Sequence, residues 1–278
     1  MSSKNKSNQF LEKIVQQKII EIKNLKERYP TNYLQVFSDS TNFSDLKQIQ
    51  TRFLSKKNKL SLIAEVKKKS PSKGIIRADF DPVKIAKEFE SKKASAISVL
   101  TDNQFFGGKL EFLESVKLNT SLPVLRKDFI LDKIQIIEAK QNSADIILLI
   151  AKILPNQNLQ DLILFALQLD LQILLEFHNL EEINRFKQIL DFLQSKYPTI
   201  NLQEKVLLGI NNRDLDTFEV DFNTCLNLKK VLPEGFLTVA ESAISEVFEL
   251  EILEKSGFNF VLIGEGLAKN KDLLNFFA

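Results

Sequence analysis

A single cysteine, Cys225, and a single histidine, His178, are the scarcest chemistry in this 278-residue chain. One thiol excludes an intrachain disulfide framework, and one thiol with one imidazole excludes zinc clusters of the usual Cys/His spacings, so no metal is expected. Net charge is scarce too: 38 basic against 36 acidic residues leave +2, with the lysines and arginines dispersed. Nothing in that balance draws nucleic acid or an anionic membrane surface. No stretch approaches the ~18 consecutive apolar residues of a membrane-crossing helix. The charged start MSSKNKSNQF has no apolar region behind it of the kind a secretory leader carries. A soluble, unprocessed, cytoplasmic protein is expected, with no nucleic acid or membrane partner. A G-x-G-x-x-G turn is also absent, which argues against an open dinucleotide-binding sheet.

What is present is 44% hydrophobic residues, enough for one large core, and a (β/α)8 barrel of about 250 residues fits without a second domain. From Phe10, FLEKIVQQKIIEIKNLKERYP places Leu11, Ile14, Val15, Ile19, Ile22 and Leu25 near a helical period that stops at Pro30. An amphipathic helix packed on the rest of the fold is predicted there. Residues 1 to 8 are polar and expected to fray, and Asp45 to Leu54 suggests a further short helical piece. After Leu60 one unit recurs: an apolar run, a polar turn, a helical stretch. The runs are LIAEV (62–66), AISVL (96–100), PVLRK (123–127), DIILLI (145–150), QILLEF (172–177), KVLLGI (205–210), FLTVA (236–240) and NFVLI (259–263). Their starts lie 22 to 34 residues apart, the span of a βα unit. The prediction is an α/β fold, a single-domain (β/α)8 TIM barrel over 61–278 with residues 1–60 as an N-terminal helical extension. Between the fifth and sixth strands, Asn179 and Glu182 predict a capping box, and the loop around Pro198 belongs on the face away from chemistry.

Barrel enzymes assemble their sites at the C-terminal ends of strands. In LIAEVKKKSPSKG, Glu65 and Lys67 share one face of the first strand, ~7 Å apart. Parallel strands covered on both faces are normally unbroken apolar runs, so these charges must face a polar cavity. The Ser-Pro-Ser-Lys-Gly that follows reads as a loop and a lid candidate. Strand 3 adds Lys127, strand 5 Glu176, strand 6 Asn211 and Arg213, and strand 7 Glu241 and Ser242. Each has a bland reading: a lysine opening a solvated loop, a structural ion pair at Glu65 and Lys67, an Asn-rich turn from Asn211 to Asp214. Charges at the same end of five strands are hard to explain as independent accidents. His178 reads as structural or solvent-facing, and Cys225 as a small packing residue. Phe105 and Phe106, beside Gly107 and Gly108, suit an aromatic pocket. AESAIS and IGEGL, after the last two strands, stand where many barrels bind phosphate.

In order along the chain, IAEVKKKSPSKG, ISVLTDNQFFGG, PVLRKDFILDKIQIIEA, ADIILLI, LLEFHNLEE, LGINNRDLDTFEVD, VAESAI and VLIGEGLAK resemble the indole-3-glycerol-phosphate synthase family, and LEKIVQQK resembles its N-terminal helix. The resemblance implies a lyase of tryptophan biosynthesis acting on a phosphorylated small molecule. It would close the ring of 1-(2-carboxyphenylamino)-1-deoxyribulose 5-phosphate with loss of carbon dioxide and water. No metal or organic cofactor is implied, and association with other tryptophan-pathway enzymes is open to it. Carried over by position, Lys127 matches the general acid and Glu176 the general base, with Glu65, Lys67, Asn211 and Glu241 as the remaining catalytic residues. Ser70, Phe106, Phe129, Leu148 and Arg213 match substrate-binding positions, and Ser242, Ala243, Gly264 and Glu265 the phosphate loops.

The chemistry asks for these types in its own right. Attack of a ring carbon on a ketone needs an acid, and a Lys127 flanked by Lys67 is expected to have a lowered pKa. Two departures stand out. Ala243 replaces the usual Gly, which would be strained at positive φ, and Asp191 to Glu204 is longer than the family norm. The nearest rival, a phosphoribosylanthranilate isomerase, would want a cysteine or carboxylate base on the first strand, and there is no cysteine there. A barrel that binds a phosphorylated metabolite or a partner enzyme without turnover is the rival from another class. The full set of acids and bases argues against it.

Overall fold

The computed structural model describes residues 4–29, 59–71 and 73–277. Most of the expected extension over 1–60, with the helical piece at Asp45 to Leu54, lies outside the described residues. The described strands are β1 (Ser61–Val66), the two-residue β2 (Lys69–Ser70) and β3 (Gly74–Ile75), β4 (Ala96–Leu100), β5 (Val124–Lys127), β6 (Ile146–Ile150), β7 (Gln172–Phe177), β8 (Val206–Asn211), β9 (Leu237–Glu241) and β10 (Phe260–Ile263). Eight of them pair in parallel and close on themselves in the order β1-β10-β9-β8-β7-β6-β5-β4. Each expected apolar run is one of these strands, its ends within one residue of the prediction. On either side of the expected loop, Lys69–Ser70 and Gly74–Ile75 pair as the antiparallel β2–β3 hairpin. Gly74 supplies a φ of +68° there, and Lys69 Nζ donates to the Gln104 carbonyl at 2.9 Å.

Strand parity divides the apolar residues into two cores. Leu62, Ala64, Ile97, Val99, Ile147, Leu149, Ile173 and Leu175 face outward into the layer shared with the helices. Ile63, Leu125, Leu148, Leu174, Leu207, Val239 and Leu262 face inward and fill the barrel. Each buried Leu or Ile contributes about 1.5–3 kcal/mol, and a one-residue slip in any strand would exchange the two sets. Register is therefore strongly specified. The inward series does not stop where the apolar residues do: two residues beyond Ile63, Leu125, Leu174 and Val239 stand Glu65, Lys127, Glu176 and Glu241.

Helix α1 (Lys4–Arg28) starts earlier than the polar residues suggested and ends two residues before Pro30, which disfavours helix in the residue preceding it. Its buried stripe is Leu11, Ile14, Lys18 and Ile22, while Ile19 is 49% exposed. The expected inward Ile19 is thus replaced by a lysine. Leu11 and Ile14 pack with Phe129, Leu148 and Ile150 inside the barrel mouth, and Lys26 pairs with Asp132 at the far end of α1.

The segment before β8 lies at the N-terminal end of the strands, as expected. Asn179 caps the helix Leu180–Lys196 by accepting from the Glu182 N–H. The capping box is modified: Glu182 accepts from the His178 N–H at 2.7 Å rather than from the cap residue's own N–H. Beyond that helix, Leu202 is 4% exposed, and the Gln172 side chain, at the start of β7, donates to the Glu204 carbonyl. Leu202→Ala is expected to cost about 2–5 kcal/mol while leaving kcat and KM of the folded protein unchanged. Thermal melts paired with steady-state kinetics check it, and a changed kcat with an unchanged melting temperature would contradict it.

Candidate active site

Side chains inside a (β/α)8 barrel stack in layers of four drawn from alternate strands. Counting β1 as the first barrel strand and β4 to β10 as the second to eighth, Glu65, Lys127, Glu176 and Glu241 come from the four odd ones. They form the topmost odd-strand layer of the interior. Lys127 Nζ lies 2.7 Å from Glu176 Oε2 and 3.0 Å from Glu241 Oε2. Both carboxylates are 1% exposed. Lys67 Nζ contacts Glu65 Oε1 beside them, and Asn211 Nδ2 donates to Glu176 Oε1 at 3.1 Å.

The even strands make room. A Cβ on Gly209 of β8 would stand 2.3 Å from Glu241 Oε1, and one on Gly264 would stand 2.3 Å from Glu65 Oε1. Both glycines are there because a carboxylate occupies the space of their missing side chains. Gly264 was expected from sequence at a phosphate loop; its packing against Glu65 was not. Gly209 was not singled out at all, although a lone glycine inside an apolar strand signals close approach.

Electrostatics separate the two carboxylates. Burial would raise Glu176, but Lys127 and the neighbouring His178 hold it well below the usual carboxylate range. Burial and the nearby Glu176 push Glu241 up to about 8, against the pull of Lys127. Burial would lower Lys127, but Glu176, Glu241 and Glu65 outweigh it, and the ammonium is held above its ordinary value. The expected lowering of Lys127 by Lys67 is therefore corrected, because its layer partners are carboxylates. His178 also departs from the solvent-facing alternative. Its side chain is 3% exposed, with Nε2 3.2 Å from Glu176 Oε1 and Nδ1 3.5 Å from Glu182 Oε2. Neither approach has the alignment of a hydrogen bond. Despite burial, the two carboxylates raise it to about 9.

A cavity of about 700 Å³ opens above this layer. Lining it are Glu65, Lys67, Ser70, Phe106, Lys127, Phe129, Leu148, Glu176, Asn211, Arg213, Glu241, Ser242, Ala243, Gly264 and Glu265, whereas Phe105, expected beside Phe106 in an aromatic pocket, packs edge to face on Phe10 instead. Phe106 and Phe129 form one wall, their ring centroids 6.1 Å apart. Arg213 spends one donor on the Phe218 carbonyl and lies 4.0 Å from Glu265. Leu11 and Ile14 of α1 also line the cavity, and sequence reasoning missed them as site residues. Ser242 and Ala243 have φ of 63° and 56°, so two residues with Cβ atoms sit in the left-handed region. Asn212 steadies this turn by donating to the Ser242 carbonyl at 3.1 Å. Cys225 is buried, with its N–H bound to Asn212, a packing residue as expected.

The sequence model of the indole-3-glycerol phosphate synthase family matches residues 11–278. Among curated relatives with that name, one from Campylobacter fetus subsp. fetus is 38% identical over 267 residues, covering 96% of each chain. One from Chlorobium phaeobacteroides is 38% identical over 265 residues, covering 95% of this chain and 96% of the relative. One from Acinetobacter baylyi reaches 41% over 208 residues, covering 75% of this chain and 73% of the relative. Among solved structures, an N-acetylmannosamine-6-phosphate 2-epimerase from Clostridium perfringens superposes with a TM-score of 0.52 at 15% identity, covering 78% of this chain and 91% of that one. That likeness concerns the fold alone.

Two outcomes follow from the geometry. A pKa raised on folding means that the native state binds the extra proton. The contribution of His178 is full below its ordinary 6.5 and is lost as pH rises through about 9, and that of Glu241 is lost from its ordinary 4.5 through about 8. Both slopes have the same sign, so thermal stability should fall between about pH 6.5 and about pH 9. His178→Asn should flatten that fall, and an unchanged slope in thermal melts would contradict the assignment. Ala243→Gly should relieve the left-handed strain, raising stability by about 1 kcal/mol, or about 2–4 °C in melting temperature. A lower melting temperature would show that the turn needs its methyl group.

Proposed function

The chain belongs to the indole-3-glycerol phosphate synthase family, and on that premise we propose how its side chains divide the reaction. The family's enzymes are carboxy-lyases of tryptophan biosynthesis that act on a phosphorylated small molecule, 1-(2-carboxyphenylamino)-1-deoxyribulose 5-phosphate. The carboxylate-bearing ring carbon attacks the ketone carbon, and the new C–C bond leaves the oxygen needing a proton. Lys127 donates it. Loss of carbon dioxide restores the aromatic ring. The hydroxyl then departs as water with a proton from Lys67, while Glu176 takes the proton from the adjacent carbon, giving indole-3-glycerol phosphate.

What carries this assignment is the position of Lys127, between a carboxylate that stays ionised and one that stays protonated near neutrality. Glu176 is ready to accept a proton, and Glu241, 3.0 Å from Lys127, is a neighbour from which the ammonium can be recharged. Asn211 orients Glu176, and Glu65 orients Lys67. Phe106, Phe129 and Leu148 hold the anthranilate ring, with Ser70 at its edge, and Arg213 attracts the substrate carboxylate without a bidentate grip that would oppose decarboxylation. Backbone N–H groups near Ser242, Ala243, Gly264 and Glu265 take the phosphate. The Glu265 side chain, paired with Lys269 at 2.6 Å, is not needed for that. A cytosolic setting suits the single, buried Cys225. Association with other enzymes of the pathway is part of the same proposal and rests on the family alone.

Lys127→Met keeps much of the stem but removes proton and charge. Single-turnover ring closure should slow by about 10²- to 10⁴-fold with substrate affinity little changed, because the interaction is made in the transition state. Lys67→Met should instead weaken binding or delay the dehydration step. Near-normal ring closure in Lys127→Met together with its loss in Lys67→Met would exchange the two roles.

A further inference from the structure

The mechanism leaves one buried charge cluster unused. Lys18, on the inward stripe of α1, is 2% exposed. Its ammonium lies 2.9 Å from Asp102 Oδ2 and 2.8 Å from Asp128 Oδ1, with Glu21 of its own helix at 2.9 Å. Asp102 and Asp128 are 0% and 3% exposed and follow β4 and β5. Burial of three such groups is costly unless the ions are paired and their other atoms satisfied. Here the satisfaction has a direction.

Asp102 Oδ1 accepts the backbone N–H groups of Phe105 and Phe106 at 2.8 and 3.1 Å. Asp128 Oδ1 accepts the N–H of Phe129 at 2.8 Å, while its Oδ2 takes the Thr101 hydroxyl and Arg126. Each aspartate that meets the ammonium therefore also holds the main chain of a phenylalanine in the cavity wall. One helical turn before Lys18, Ile14 closes the same cavity from above, and Phe10 meets Phe105 edge to face at 5.4 Å. The roof helix and the two wall loops share one cation. Burial would lower Lys18, but Asp128 and Asp102 outweigh it and keep the ammonium charged well above its ordinary value.

We propose that Lys18 is a positioning residue for the aromatic wall, its ammonium fixing the Asp102 and Asp128 loops so that Phe106 and Phe129 stand at ring-binding separation under α1. The inference rests on the reading that these phenylalanines hold the anthranilate ring. The phosphate end of the cavity, built on the loops after β9 and β10, has no bond to this cluster among the described residues.

The test uses the full-length enzyme, with anthranilate and inorganic phosphate as separate competitive inhibitors. Lys18→Met should raise KM and the anthranilate inhibition constant about tenfold, hold kcat within about threefold, and leave phosphate inhibition within about twofold. A merely structural loss would weaken both inhibitors together, and that result, or no change in either, would overturn the proposal. Because Lys18→Met leaves Asp102 buried without its cation, Lys18→Met with Asp102→Asn provides a second route. The new amide is neutral and keeps an oxygen for the Phe105 and Phe106 N–H groups, so this pair should fold better and still bind anthranilate weakly. If neither protein folds, Lys18 serves folding and the proposal is overturned. Phe129→Leu separates the underlying reading. If it leaves anthranilate inhibition unchanged, the ring site is elsewhere; if it weakens inhibition while both Lys18 variants do not, the Lys18 inference alone fails.

Discussion

One ammonium held between two buried carboxylates sets the terms for the rest of the barrel. Lys127, Glu176 and Glu241 come from strands that are not neighbours in the sheet, so only closure brings them within 3.0 Å. With Glu65 they make a layer of three acids and one base, an arrangement that cannot be fully ionised in a low-dielectric interior without further compensation. The surroundings supply it. Lys67 neutralises Glu65, His178 and Asn211 face Glu176, and Glu241 keeps its proton up to about 8. The outcome is a near-neutral layer whose two carboxylates differ in state, which is the condition for acid and base work in one site.

Packing beneath the layer follows from the same demand. The Glu65 and Glu241 carboxylates lie against the neighbouring even strands, so those strands must give up volume beside them. Gly209 and Gly264 do so, at the backbone-entropy cost that glycine in a strand carries. The Ser242 and Ala243 turn works the other way: it keeps side chains where glycine would be relaxed, and Asn212 offsets part of the strain through the Ser242 carbonyl. Stability is yielded in both places at the mouth, while the lower barrel and the helical layer are mainly apolar.

The sequence made the barrel and most of the mouth legible, because strand parity is a local signal: Glu65 two residues after Ile63, or Glu176 two after Leu174, shows on which face a charge must fall. Partnership across the barrel is not local. Lys67 looked like the neighbour of Lys127 when strands were considered singly, whereas the layer rule makes odd strands meet, and those carry glutamates. His178 is hard to read for a related reason: local signals place Glu176 at the cavity and Glu182 at a helix cap, and only the folded chain shows one imidazole between them. In α1, hydrophobicity favoured Ile19 over Lys18. A helix face can accept a buried lysine only if acids arrive from elsewhere, and Asp102 and Asp128 sit in loops whose proximity to α1 no periodicity encodes.

The charge balance of the mouth also bears on why its carboxylates are tolerated. The substrate carries a carboxylate and a phosphate, so a site that binds it needs cations and backbone donors, and Lys67, Lys127 and Arg213 line the cavity. Left without counterions, those cations would repel one another and would be free to grip the substrate carboxylate tightly, which opposes its loss as carbon dioxide. Glu65, Glu176 and Glu265 engage them in the free enzyme. The cations are thereby held in place before substrate arrives, and their attraction for the ground-state carboxylate is tempered. Under the proposed division of roles, the full strength of Lys127 is reserved for the oxygen on which charge develops as the ring closes, where a preorganised donor contributes most.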